Sequence, residues 1–133
     1  METGIPSELQ IIIPAAGASA RLGRPKQNIP INGTPLWQHT LHLCTNLPAV
    51  VTIVSGKWRP EVELPDRVKE CHFLDWEDGM GASIAFGISQ VDIPSKGYLI
   101  LLCDQWRLTQ KALQRFVQQW DGQHIQVAQD GRY

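Results

Sequence analysis

A chain of 133 residues, 43% of them hydrophobic, is long enough for one domain with a real core. Its formal net charge of -1 offers no general basic field, so nucleic acid is not an expected partner. No apolar run approaches the roughly 18 residues of a membrane span, so no membrane partner is expected either. Residues 1–10, METGIPSELQ, lack the cationic and apolar blocks of a secretory leader, which makes the cytoplasm the expected location. Cys44, Cys71 and Cys103 are scattered and show no zinc spacing, so reduced, partly buried thiols are expected.

In chain order, Gln10, Ile11, Ile12 and Ile13 read as a buried strand that runs into the loop 14–27, PAAGASARLGRPKQ. Thr34 is placed to cap a helix with Pro35 at its first position. Leu36, Thr40, Leu43 and Leu47 recur at helical spacing until Pro48 closes the element. Residues 50–54 form a β-branched run that stops at Ser55 and Gly56. After the glycine loop at 79–81, Ile84, Ile88 and Val91 make a second helical stripe. Residues 98–103 are the most apolar strand and are expected at the centre of the sheet. Thr109 caps a third helix with Leu113, Phe116, Val117 and Trp120 on one face. Residues 125–128 read as a further short strand, followed by a turn at Asp130 and Gly131. The alternation predicts an α/β domain over residues 10–133 after a short N-terminal tail, with a mostly parallel sheet flanked by helices. Ligands then belong at the carboxyl ends of the strands.

The loop 14–27 carries the strongest chemical signal. Gly17 and its small neighbours Ala15, Ala16, Ala18 and Ser19 let backbone N–H groups approach an anion closely. Arg21, Arg24 and Lys26 supply charges suited to a polyphosphate. Neither the P-loop pattern nor the dinucleotide glycine fingerprint is present, and a plain basic surface loop is the alternative. Asp104 follows an apolar strand at the expected ligand edge, where a carboxylate can hold Mg²⁺ against a triphosphate. A helix cap is its other use, for which Thr109 is better placed. Ser83 is expected to open the second helix, either as a plain N-cap or with Gly81 as a nucleotide contact. Asp75, Glu77 and Asp78 read as a solvated turn. His39, His42, His72, His124, Cys103 and the tryptophans carry no site assignment.

Ala15, Ala16, Gly17, Ser19, Arg21, Gly23, Pro25 and Lys26 resemble the signature loop of nucleotidyltransferases with a Rossmann-like GT-A fold. Gly79, Met80, Gly81, Ala82, Ser83 and Ile84, with Gly87 beyond, and the run ending in Cys103, Asp104 and Gln105 look like two further motifs of the molybdenum cofactor cytidylyltransferase family. The resemblance covers nearly the whole chain from Gln10 onward. It implies transfer of CMP from CTP to a molybdopterin acceptor, with Arg21 and Lys26 catalytic. It also implies that Ala15, Ala16, Gly17, Ser19, Arg21, Lys26, Gly81 and Ser83 bind nucleotide and that Asp104 binds Mg²⁺. A second alanine in the loop goes with CTP in that family, and its guanylyltransferase relatives carry glycine there. The product would serve a client molybdenum hydroxylase.

Departures from the pattern are visible. Pro14 and the pair Lys26 and Gln27 are similar to the cytidylyltransferases of isoprenoid synthesis. Trp106 stands in place of a proline, and Phe73 in place of an asparagine. Family members run on for roughly a further third of their length, an impression set against ordinary domain sizes. A C-terminally truncated nucleotidyltransferase, or a non-catalytic nucleotide-binding remnant, is therefore expected. Its sheet could self-associate through an unpaired edge.

Overall fold

The computed structural model describes residues 9–17, 25–91, 95–103, 105 and 107–126. The two β-branched runs become β1 (Leu9–Pro14) and β4 (Val50–Ser55), and every residue of β1 is buried. They pair in parallel, with Ile11 opposite Val51 and Ile13 opposite Ile53. Such strands carry no polar face because helices cover both sides of the sheet. β5 (Val68–His72) adds in parallel to the far side of β4, and β6 (Gly97–Ile100) adds in parallel to β1. The sheet order is β5-β4-β1-β6.

Alternation along the strands sorts the two faces. Ile11, Ile13, Val51 and Ile53 enter a core with Trp37, Leu43, Trp58, Leu113 and Val117. That face is covered by α1 (Leu36–Leu43) and α3 (Gln110–Gln118). Ile12 and Val54 point the other way, against α2 (Met80–Ser89). A Cβ on Gly87 would lie 2.8 Å from Val54 Cγ2 and 3.1 Å from Ile12 Cγ2, so this glycine lets α2 sit close to the sheet. Thr109 Oγ1 accepts the Ala112 amide at 3.1 Å and caps α3 as expected. No helix among the described residues is long and apolar enough to cross a membrane.

Four expectations are corrected. Thr34 does not cap α1; it pairs with Ile31 in a small antiparallel hairpin of β2 (Pro30–Ile31) and β3 (Thr34–Pro35). Asn32 and Gly33, at φ 52° and 85°, supply the two left-handed positions of a tight turn. Pro35 is the N-cap instead, and the Leu36 amide donates to Ile29 O at 2.9 Å. In α2 the buried residues are Ser83 and Gly87, while Ile84 and Ile88 stay half-buried, because close approach to the sheet favours small side chains. Among the described residues β6 is an edge strand, with Tyr98 38% exposed, since nothing described pairs beyond it. Ile125 is 94% exposed and outside any strand; residues 127–133, with the turn expected at Asp130 and Gly131, lie outside the described residues.

Candidate functional site

The carboxyl ends of β1 and β4 are stitched together by backbone. The Ala15 amide donates to Val54 O at 2.9 Å, and the Lys57 amide donates to Ala16 O at 3.1 Å. Ala15 and Ala16 are thereby buried at 3% and 4% exposure, while Gly17 is exposed with open space where a Cβ would stand. Gly56 is the opposite case. A Cβ there would lie 2.6 Å from Trp76 Cβ, 2.7 Å from Ala16 Cβ and 3.0 Å from Ala16 O. Ala16 and Trp76 therefore both close on Gly56 and leave no room there for a side chain.

Lys26 opens a 3-10 turn, Lys26–Asn28, and is exposed. Its neighbour Gln27 is buried, and Gln27 Nε2 donates to Ala15 O at 2.7 Å and Gly17 O at 3.2 Å. On the next residue Asn28 Oδ1 accepts from Trp58 Nε1 at 2.8 Å. Trp58 packs on Trp37 with ring centroids 5.5 Å apart. The turn that carries Lys26 is thus tied both to the glycine loop and to the core. Among the described residues Gln27 Oε1 is buried without a hydrogen-bond partner, a state that costs about 1–3 kcal/mol. The sequence reading assigned Gln27 no role; the only available signal was its place directly after the lysine of the motif.

Beside Trp76, Asp75, Glu77 and Asp78 are exposed, as expected of a solvated turn. Gly79, at φ 102°, is the N-cap of α2. The helix starts at Met80, earlier than the expected opening at Ser83. Ser83 is 2% exposed, and its amide donates to Gly79 O at 3.1 Å, so it lies within the helix on the buried face. Gly81 sits exposed in the first turn. Phe73 stacks on Phe86 at 4.9 Å.

Ser19, Arg21 and Asp104 lie outside the described residues. The segment leading to Asp104 is placed: the Leu101 amide donates to Ile12 O at 3.0 Å, and Cys103 is buried. The chain before Asp104 therefore runs beside β1 toward the same sheet edge as Ala15. Among the described residues no group of three or more His, Cys, Asp or Glu side chains converges.

The end of β4 is held by a second polar cluster. Ser55 Oγ donates to Glu70, and Arg59 Nε donates to Glu70 Oε2 at 2.7 Å. The Arg59 hydrogen bond holds the Glu70 carboxyl below its ordinary value; partial burial opposes this and the Ser55 bond adds to it. Because the folded carboxyl is the stronger acid, the cluster adds stability above the unfolded value, about pH 4.3. That contribution is lost as pH falls through the folded value. Glu70→Gln should therefore flatten the decline of Tm on acidification below about pH 4.3. Circular dichroism melts from pH 7 downward measure this, and slopes equal to the wild type would refute it.

His124 Nδ1 lies 2.6 Å from Asp121 Oδ2, a partner not apparent from sequence. All three cysteines are buried and outside any disulfide, and burial pushes the Cys44 thiol up to about 12.

The family model of the MobA-like NTP transferase domain matches residues 11–132. The chain belongs to this family. Its relatives include two proteins named probable molybdenum cofactor guanylyltransferase. The one from Trichormus variabilis is 29% identical over 118 residues, covering 86% of this chain and 55% of that protein. The one from Nostoc sp. is 30% identical, with the same coverage of 86% and 55%. The chain thus spans about half the length of the curated relatives it matches. Among solved structures, Rv0371c from Mycobacterium tuberculosis H37Rv superposes with a TM-score of 0.70 at 24% identity, over 83% of this chain and 58% of that one. Its homologue from Mycobacterium sp. strain JC1 gives 0.64 at 27% identity, over 85% and 59%. Rv0371c has also been solved as a complex with manganese, which superposes at 0.58 with 19% identity, over 83% and 57%. The α/β nucleotidyltransferase fold expected from the MobA-like motifs is the fold observed.

Proposed function

We propose that this chain forms the nucleotide-binding part of a Mg²⁺-dependent nucleotidyltransferase that acts in the cytoplasm on a molybdopterin-type acceptor. The observation that best supports this reading is the pair of hydrogen bonds from Gln27 to Ala15 O and Gly17 O, which brings Lys26 beside the small-residue loop. In this reading the backbone of Ala15, Ala16, Gly17 and Ser19 cradles the triphosphate. Arg21 and Lys26 balance its charge, and Gly81 lets the start of α2 approach the nucleotide. Ser83, being buried, holds α2 against the sheet.

A phosphate oxygen of the acceptor attacks the α-phosphorus in line. The bond from that phosphorus to the bridging oxygen breaks, and pyrophosphate leaves with the electron pair. The residues supply position and charge rather than covalent chemistry. Asp104 would hold the Mg²⁺, which neutralises phosphate charge when bound. The manganese complex of a fold neighbour makes Mn²⁺ the natural substitute in assays.

The donor is proposed as CTP. The second alanine of the loop, Ala16, goes with CTP in the family that the loop resembles, and the base assignment rests on it. GTP is the second reading, favoured by the names of the relatives. Calorimetric titration with each NTP and Mg²⁺, with pyrophosphate release measured with and without molybdenum-loaded pterin, tests both. Tightest binding of CTP is expected, and preference for GTP would reverse the base assignment. Failure of every triphosphate to bind overturns the proposal.

A further inference from the structure

We propose that Gln27 is a positioning residue that sets the backbone of the glycine loop, so that the nucleotide meets a cradle already formed. This rests on nucleotide binding at that loop as proposed above. The side chain is 5% exposed and reaches back to two carbonyls, Ala15 O at 2.7 Å and Gly17 O at 3.2 Å. Carbonyl oxygens only accept, so the NH₂ end of the amide must face them, and the geometry itself fixes the orientation of the group. The peptide is planar and trans, so turning Ala15 O toward Gln27 turns the Ala16 N–H the opposite way. One side chain thereby sets the direction of backbone dipoles in the loop that is to hold phosphate. The same residue follows Lys26 directly and precedes Asn28, whose Oδ1 accepts from Trp58 Nε1. Loop and lysine are therefore positioned by one anchored turn.

The other end of the amide argues that Gln27 does more than fill space. Among the described residues its Oε1 is buried without a partner, so an apolar side chain of equal length would avoid that penalty. What such a side chain would lose is the two donated bonds.

Two variants test the proposal. Gln27→Met keeps length and removes both donors. Gln27→Glu keeps the shape but, when ionised, sets a carboxylate against two carbonyls; when protonated it regains one donor. Triphosphate affinity, measured with CTP and GTP in Mg²⁺, should fall about tenfold in Gln27→Met, the scale of one or two neutral hydrogen bonds. In Gln27→Glu the fall should be larger at pH 8 and recover toward the wild type as pH drops to about 5, where a carboxyl begins to protonate. Amide hydrogen exchange over residues 15–17, measured without nucleotide, should quicken in Gln27→Met while Tm stays close to the wild type. Unchanged exchange, or affinity equal to the wild type in a folded Gln27→Met, would overturn the role. If the wild type binds no triphosphate, the nucleotide reading fails, and the exchange comparison alone still decides whether Gln27 sets the loop.

Discussion

Lys26→Ala is expected to lower turnover of the proposed nucleotidyl transfer by about two or more decades, equivalent to roughly 3–4 kcal/mol of lost transition-state stabilisation. Charge accumulates on the leaving pyrophosphate as its bond to the α-phosphorus breaks. A preorganised cation there stabilises the transition state more than the ground state, which is why the loss falls on turnover. Lys26 is exposed at the head of its 3-10 turn, and side-chain bonds of Gln27 and Asn28 tie that turn to the loop and the core. Its truncation therefore leaves the core untouched, and the circular dichroism spectrum and Tm should match the wild type. Lys26→Arg keeps the charge but spreads it over a planar fork, so partial activity is expected. Pyrophosphate release per enzyme measures the effect. A folded Lys26→Ala protein turning over at the wild-type rate would remove Lys26 from the proposed chemistry.

Gly56→Val destabilises the domain by about 3 kcal/mol, the upper end of ordinary overpacking. The glycine is required for space and not for backbone freedom, since its φ lies outside the left-handed region. The atoms that crowd its missing Cβ are Trp76 Cβ, Ala16 Cβ and Ala16 O, all fixed to backbone, so none can swing aside as a long side chain would. Relief must come from separating the loop after β1 from the loop after β4. That strains the Lys57 amide bond to Ala16 O and displaces the backbone of the loop after β1. Triphosphate affinity should therefore fall together with the urea midpoint. A variant with wild-type midpoint and wild-type affinity would show that this junction has slack.

The strands were readable because β-branched runs of the length of β1 and β4 have few other stable uses, and alternation with helical stripes implies parallel pairing. Thr109 was readable because capping acts within one turn. The hairpin at 30–35 was harder. A Thr-Pro pair before a helical stripe reads as a cap, while Asn32 and Gly33 carry the competing turn signal, and the ladder prevailed. β6 looked central because apolar content reports burial in general and not which neighbour provides it. Its flank among the described residues is a groove lined by Ile84, Ile88, Phe116 and Trp120 rather than another strand.

The candidate site divides in the same way. The small-residue loop and its cations are visible in sequence because the proposed phosphate cradle draws glycine and positive charge from one short stretch of chain. From the amino-acid order alone come the fold class, the family motifs and the sheet edge that gathers them, since each depends on near neighbours and period. Folding in three dimensions decided the rest. It placed Gln27 on Ala15, twelve residues away, closed Gly56 against Trp76, paired Glu70 with Arg59, and turned Ser83 inward. Each of these is a contact through space, and no local propensity encodes which distant atom a side chain will meet.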